Sequence, residues 1–102
     1  MKSNDDIILT QELIKKDLAL DSELPDLASD LEDLKKKLTP IINHLLDHDL
    51  NRLLTALYRI DVSEAKVKKV IASAKPEIIG DTIAQLIIDR ELQKVETRRK
   101  YS

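Results

Sequence analysis

Leucine and isoleucine recur at steps of three and four residues through the middle of this chain: Leu24, Leu27, Leu31, Leu34, Leu38, Ile42, Leu46, Leu50, Leu53, Leu57 and Ile60. Such spacing brings an apolar side chain back to one side of a helix on every turn, and the seam so formed must be shut against another helix. No stretch sustains the period-two alternation of a half-buried strand. The expected fold is therefore all-α, a compact bundle of four to five helices. Residues 1–102 are one domain's worth of chain, with fraying expected over 1–5 and 97–102.

The apolar side chains suit that packing. There are 17 Leu and 12 Ile but no Phe or Trp, and Tyr58 and Tyr101 are the only aromatics. Branched aliphatics interdigitate well between helices, and their dominance removes the stacking platforms on which single-stranded nucleic acids bind. With no cysteine, disulfides and thiolate metal sites are excluded, which fits a reducing compartment. The segment Met1–Asp6 turns acidic where a signal peptide would be cationic and then apolar, and no apolar run reaches the roughly 18 residues of a membrane span. A cytoplasmic location without membrane contact is the expectation. Residues 1–62 carry 8 basic against 13 acidic side chains and residues 63–102 carry 9 against 6. That polarity could pair copies head to tail, although ordinary scatter of surface charge explains it more simply.

Five helical segments can be read from the pattern. The first covers about Asp6 to Leu20, with Ile7, Leu9, Leu13, Ile14 and Leu18 inward. Ser22 is placed to cap a second, with Pro25 tolerated in its first turn and Lys35, Lys36 and Lys37 in its last. Thr39-Pro40 reads as a stop and a start together, because proline disfavours helical backbone before it and suits a first helical position. The third segment is then Pro40–Ile60. Asp61 and Glu64 have capping-box spacing ahead of a short fourth helix, Glu64–Ser73. The fifth runs from Pro76 to about Arg99, apolar over a wide arc up to Ile88 and polar beyond Asp89. Gly80 costs up to about 1 kcal/mol inside a helix, so Asp81 is an alternative N-cap for it.

The densest group of functional side chains is His44, Asp47, His48, Asp49 and Arg52. Two histidines four apart on a helix face the same way and could share a metal. However, Leu45 stands where hydrolytic zinc sites carry their glutamate, and no third histidine exists. Asp49 falls at an azimuth inside the apolar arc of a continuous helix. Either the helix breaks at His48 and Asp49 caps a new one from Leu50, or Asp49 pairs with Arg52 or Arg59 in a buried polar node. The cap is the favoured of the two. Tyr58 and Arg59 are residue types enriched at binding hot spots, set against the plainer role of closing the core edge. Asp49, Arg52, Tyr58 and Arg59 are accordingly the candidate interaction residues.

Residues 63–92 fit a helix-turn-helix outline poorly, since Glu77-Ile78-Ile79-Gly80-Asp81 would stand where base-reading residues belong. Arg90, Lys94, Arg98, Arg99 and Lys100 are interleaved with Asp89, Glu91 and Glu96, where Glu91 with Lys94 reads as ordinary helix-face pairing. No spacing singles out a carboxylate pair or a nucleophile for catalysis.

The stretches Asp47–Leu54, Tyr58–Glu64 and Ile87–Lys94 together resemble a family of small uncharacterised bacterial all-helical proteins of about this length. The resemblance implies a bacterial cytosolic protein and carries no activity or site residue with it. The function expected is a non-enzymatic protein–protein interaction or regulatory module, with a homodimer as one form of it. It needs no cofactor and no metal, and its partner is another protein or a second copy. The alternatives are a metal-dependent or enzymatic protein built on His44, His48, Asp49 and Arg52, and nucleic-acid binding through the basic C-terminal helix. Surplus apolar surface points to an interaction module, because the fifth helix is hydrophobic over too wide an arc to hide against one neighbour.

Overall fold

The computed structural model describes residues 4–18, 28–73 and 75–101. Among these residues five α-helices form an all-α bundle: α1 (Asn4–Asp17), α2 (Leu31–His48), α3 (Leu50–Ile60), α4 (Glu64–Ser73) and α5 (Pro76–Tyr101). The wide apolar arc of α5 is explained by its position, because each of the other four helices packs against it. Ile83, Ala84, Ile87 and Ile88 are buried at its centre. Burial continues past Asp89 through Glu91, Leu92 and Val95, so the half expected to be polar is not free of the bundle. α1 lies along α5 and brings Ile7, Ile14 and Leu18 into the core. Leu9, read as inward, is instead 43% exposed.

The boundaries of α2 correct the sequence reading at both ends. Its N-cap is Asp30, whose side chain accepts from the Asp33 N–H at 2.8 Å, while Asp33 reaches back to the Ser29 N–H at 2.9 Å. Ala28–Asp30 are not helical, so no helix runs unbroken from Ser22 to Lys37; Ser22, Leu24, Pro25 and Leu27 lie outside the described residues. Nor does Thr39-Pro40 separate two helices, for Pro40 sits inside α2. Leu34, Leu38, Ile42 and Leu45 are all buried on one continuous face, and interrupting it would uncover apolar surface on both sides of the break. The proline ring is exposed, and the Thr39 hydroxyl donates to the Lys35 carbonyl at 2.8 Å in the turn that proline disturbs. A proline in a helix interior costs about 3 kcal/mol against alanine. Since tertiary packing has absorbed part of that cost, Pro40→Ala should stabilise the fold by about 1–2 kcal/mol, read as a higher urea midpoint.

The break comes at Asp49 instead. Its carboxylate accepts from the Arg52 N–H at 3.2 Å and caps α3, while its own N–H closes α2 on the Leu45 carbonyl at 2.9 Å. At the other end of α3, Asp61 adopts the left-handed conformation (φ 66°, ψ 42°), and Val62 N–H returns to the Leu57 carbonyl at 3.1 Å. That is the geometry of a Schellman ending, usually glycine's place but within reach of aspartate. Ser63, not Asp61, caps α4 through the Lys66 N–H at 3.4 Å. Arg90 of α5 fixes this corner, donating to the Asp61 carbonyl at 3.2 Å and to its carboxylate at 3.3 Å.

α5 starts at Pro76, so Asp81 is not its cap. Gly80 lies within the helix where α5 passes α2, and a Cβ there would displace the Asn43 side chain. Among the described residues no helix is long and apolar enough to cross a membrane.

Candidate functional site: the groove between α3 and α4

α3 has more apolar surface than the bundle covers. Leu53, Ala56, Leu57 and Ile60 are buried, and beside them on the helix Leu50, Leu54 and Tyr58 remain 46%, 44% and 89% exposed. At about 100° per residue these two rows make one apolar arc about 200° wide, with Leu50, Leu54 and Tyr58 forming its uncovered edge. The helix that could have covered that edge is α4, the next in the chain. Although only Asp61–Ser63 join them, α3 and α4 hardly approach one another, because α4 spends its buried Val67 face mainly on α5. A groove is left between them.

The groove has two hollows. One, about 520 Å³, has Leu46, Leu50, Ile71, Pro76 and Ile79 as its apolar walls. The other, about 290 Å³, lies among Leu54, Leu57, Tyr58, Val62 and Val67. The larger hollow touches α3 and α4 only through Leu50 and Ile71; its other walls are Asn43, Leu46 and Asp47 of α2 and Pro76, Glu77 and Ile79 of α5, so it opens at one end of the groove, while the smaller hollow lies between α3 and α4. The charged residues lining both are carboxylates: Asp47 and Glu77 in the larger, Glu64 in the smaller. Glu64 is paired with Lys68 at 3.2 Å.

The candidate residues from the sequence divide between scaffold and surface. Asp49 is a cap, and Arg52 donates from Nε and Nη2 to the Leu18 carbonyl at 3.3 and 3.0 Å, tying α3 to the end of α1. Tyr58 does not close the core edge but stands almost wholly exposed at the rim of the groove, and Arg59 is exposed on the far, polar side of α3. His44 and His48 lie side by side on the exposed face of α2 with ring centroids 4.7 Å apart. Among the described residues no third His, Asp or Glu joins them to make a metal-binding group. Of the basic residues late in α5, Arg90 is engaged with Asp61 and Lys94 leans inward to Glu91.

Glu91 is the residue that the sequence reading misplaced. It is fully buried, and neither carboxylate oxygen has a hydrogen-bond partner among the described residues. Lys94 Nζ stands 3.4 Å from Oε1. Burial first, and then the Asp17 carboxyl at the end of α1, push its pKa from an ordinary 4.5 up to about 7, against the opposing pull of Lys94. A signal was present: Ala84, Ile88, Glu91 and Val95 are spaced by four, three and four residues, which puts the carboxylate in the apolar seam. Polar residues are buried on α1 as well, namely Asp6, Thr10 and Gln11, the last accepting from the Ala28 N–H at 2.9 Å.

No family model, curated protein or solved structure matches the chain.

Proposed function

We propose that this protein is a non-catalytic helical interaction module that binds another protein through the α3–α4 groove. The observation that carries the reading is the uncovered stripe Leu50, Leu54 and Tyr58, one turn apart on a helix whose opposite edge is core. Scattered exposed leucines are ordinary surface, but an aligned stripe that ends in a tyrosine and borders two apolar hollows is the anatomy of a contact site. Most of the apolar surface expected in surplus on α5 is spent inside the bundle, with Ile78 left exposed, and among the described residues the exposed apolar side chains that line up along one helix are those of α3.

The test is a variant that spoils the stripe without touching the core. Leu54→Asp combined with Tyr58→Ala should keep the helical content and melting temperature close to wild type, since both side chains are largely solvated. In affinity purification from the native cell, a protein retained by wild type and released by this variant supports the reading. Identical retention by both would refute it.

A further inference from the structure

We infer that the occupant of the α3–α4 groove is a basic amphipathic helix, about three turns long, carried by a partner protein. The inference rests on the reading of this groove as the contact site and identifies what the groove is built to hold.

The shape of the site sets the secondary structure of the occupant. Both walls are helices, whose backbone hydrogen bonds are satisfied internally, so the groove offers no strand edge for an extended peptide to pair with. An occupant that gives up water along its backbone must bring its own hydrogen bonds, as a helix does. The length follows from α3, whose 11 residues span about 16 Å, or three turns of a facing helix. Apolar side chains at positions i, i+4 and i+7 of such a helix would meet Leu50, Leu54 and Tyr58 in turn and fill the two hollows.

The charge of the occupant follows from the rim. Among the described residues every charged side chain that lines the hollows is acidic, Glu64 of α4 in the smaller and Asp47 of α2 with Glu77 of α5 in the larger, at the end of the groove. Asp47 and Glu77 form no ion pair or hydrogen bond among the described residues, whereas the third carboxylate, Glu64, is paired with Lys68 on the exposed face of α4. On α4, Lys66 and Lys69 point roughly opposite to Ile71 at about 100° per residue and do not offset that charge. Unpaired carboxylates beside an apolar floor favour Lys or Arg flanking the apolar stripe of the partner and disfavour Asp or Glu there. A second copy of this chain is a poorer fit, because face-to-face pairing would bring the same acidic rim against itself.

Two synthetic helices of about 14 residues serve as probes. Both carry Leu at i, i+4, i+7 and i+11; one has Lys at the flanking positions and its twin has Glu. Titrations followed by NMR of the Leu50, Leu54 and Ile71 methyl groups, with tyrosine fluorescence compared between wild type and Tyr101→Phe, should show the Lys helix binding at the groove. The Glu twin should bind at least about 10-fold more weakly at low salt. Asp47→Lys with Glu77→Lys, both at exposed or rim positions, should reverse that preference. Equal binding of both helices at these methyls would overturn the basic occupant while leaving the contact site standing. Dimerisation of the free protein through the same methyls would overturn it in favour of a second copy. If neither helix perturbs the groove and the protein stays monomeric, both this inference and the reading beneath it fail.

Discussion

Glutamine in place of Glu91 should make the protein more stable above neutral pH and remove most of the pH dependence that wild type shows between pH 4.5 and 7. The carboxyl is fully buried, faces Asp17, and has its folded-state pKa raised to about 7 from 4.5. Below pH 4.5 folded and unfolded chains both hold the proton, and the group discriminates little between them. Between 4.5 and 7 the folded chain keeps a proton that the unfolded chain has released, so stability falls by about 1.4 kcal/mol for each pH unit. Above 7 the whole penalty is in place, on the order of 3 kcal/mol, a large share of the 5–15 kcal/mol typical of a small domain.

The amide of Glu91→Gln has the shape of the protonated acid and a donor for Asp17, without the charge. Urea midpoints at pH 5 and pH 8.5 should therefore converge for the variant and separate for wild type, with the variant the more stable at pH 8.5. Asp17→Asn should give part of the same gain by removing the facing charge. A variant whose pH profile runs parallel to wild type would show that Glu91 is ionised at little cost in the folded state, and that Lys94, at 3.4 Å, compensates it fully.

Sequence and structure part where a local rule and a tertiary demand disagree. The leucine ladder correctly signals helices, yet it does not run as one seam. Steps of four from Leu38 through Ile42 and Leu46 to Leu50 drift by about 40° each, so Leu46 is only partly buried and Leu50 is exposed, while Leu45 takes the core position. The same azimuth arithmetic placed Asp49 inside the apolar arc, and this conflict is what located the true break. Thr39-Pro40 misled because the rule that proline ends a helix is a preference of a few kcal/mol, and four buried residues on one face outweighed it. Glu91 was legible as an acid in an apolar seam, but abundant neighbouring charges made surface pairing the simpler reading. The groove was beyond the sequence altogether. A wide apolar arc can be counted on α3, but how much of it stays wet depends on where α4 goes after the left-handed turn at Asp61.

Two adjacent leucines put that last point to a direct test. Leu53 is 1% exposed and Leu54 is 44% exposed, although both belong to the same helix and fit the same apolar arc. Leu53→Ala removes side-chain atoms from a packed core and leaves a cavity, at a cost of about 3 kcal/mol or more. Leu54→Ala gives up only the covered part of one side chain and leaves no enclosed void, so its cost should stay below about 1 kcal/mol. In a domain of this size the first corresponds to a fall of well over 10 °C in melting temperature and the second to a few degrees. Binding should show the reverse order. Leu54→Ala should weaken a groove-bound helix by about 10-fold, as expected for truncating a central interface anchor, at almost unchanged stability. If Leu54→Ala instead destabilises the free protein as much as Leu53→Ala, then α4 closes over α3 in solution. The groove would then be part of the core, and the contact surface would have to lie elsewhere.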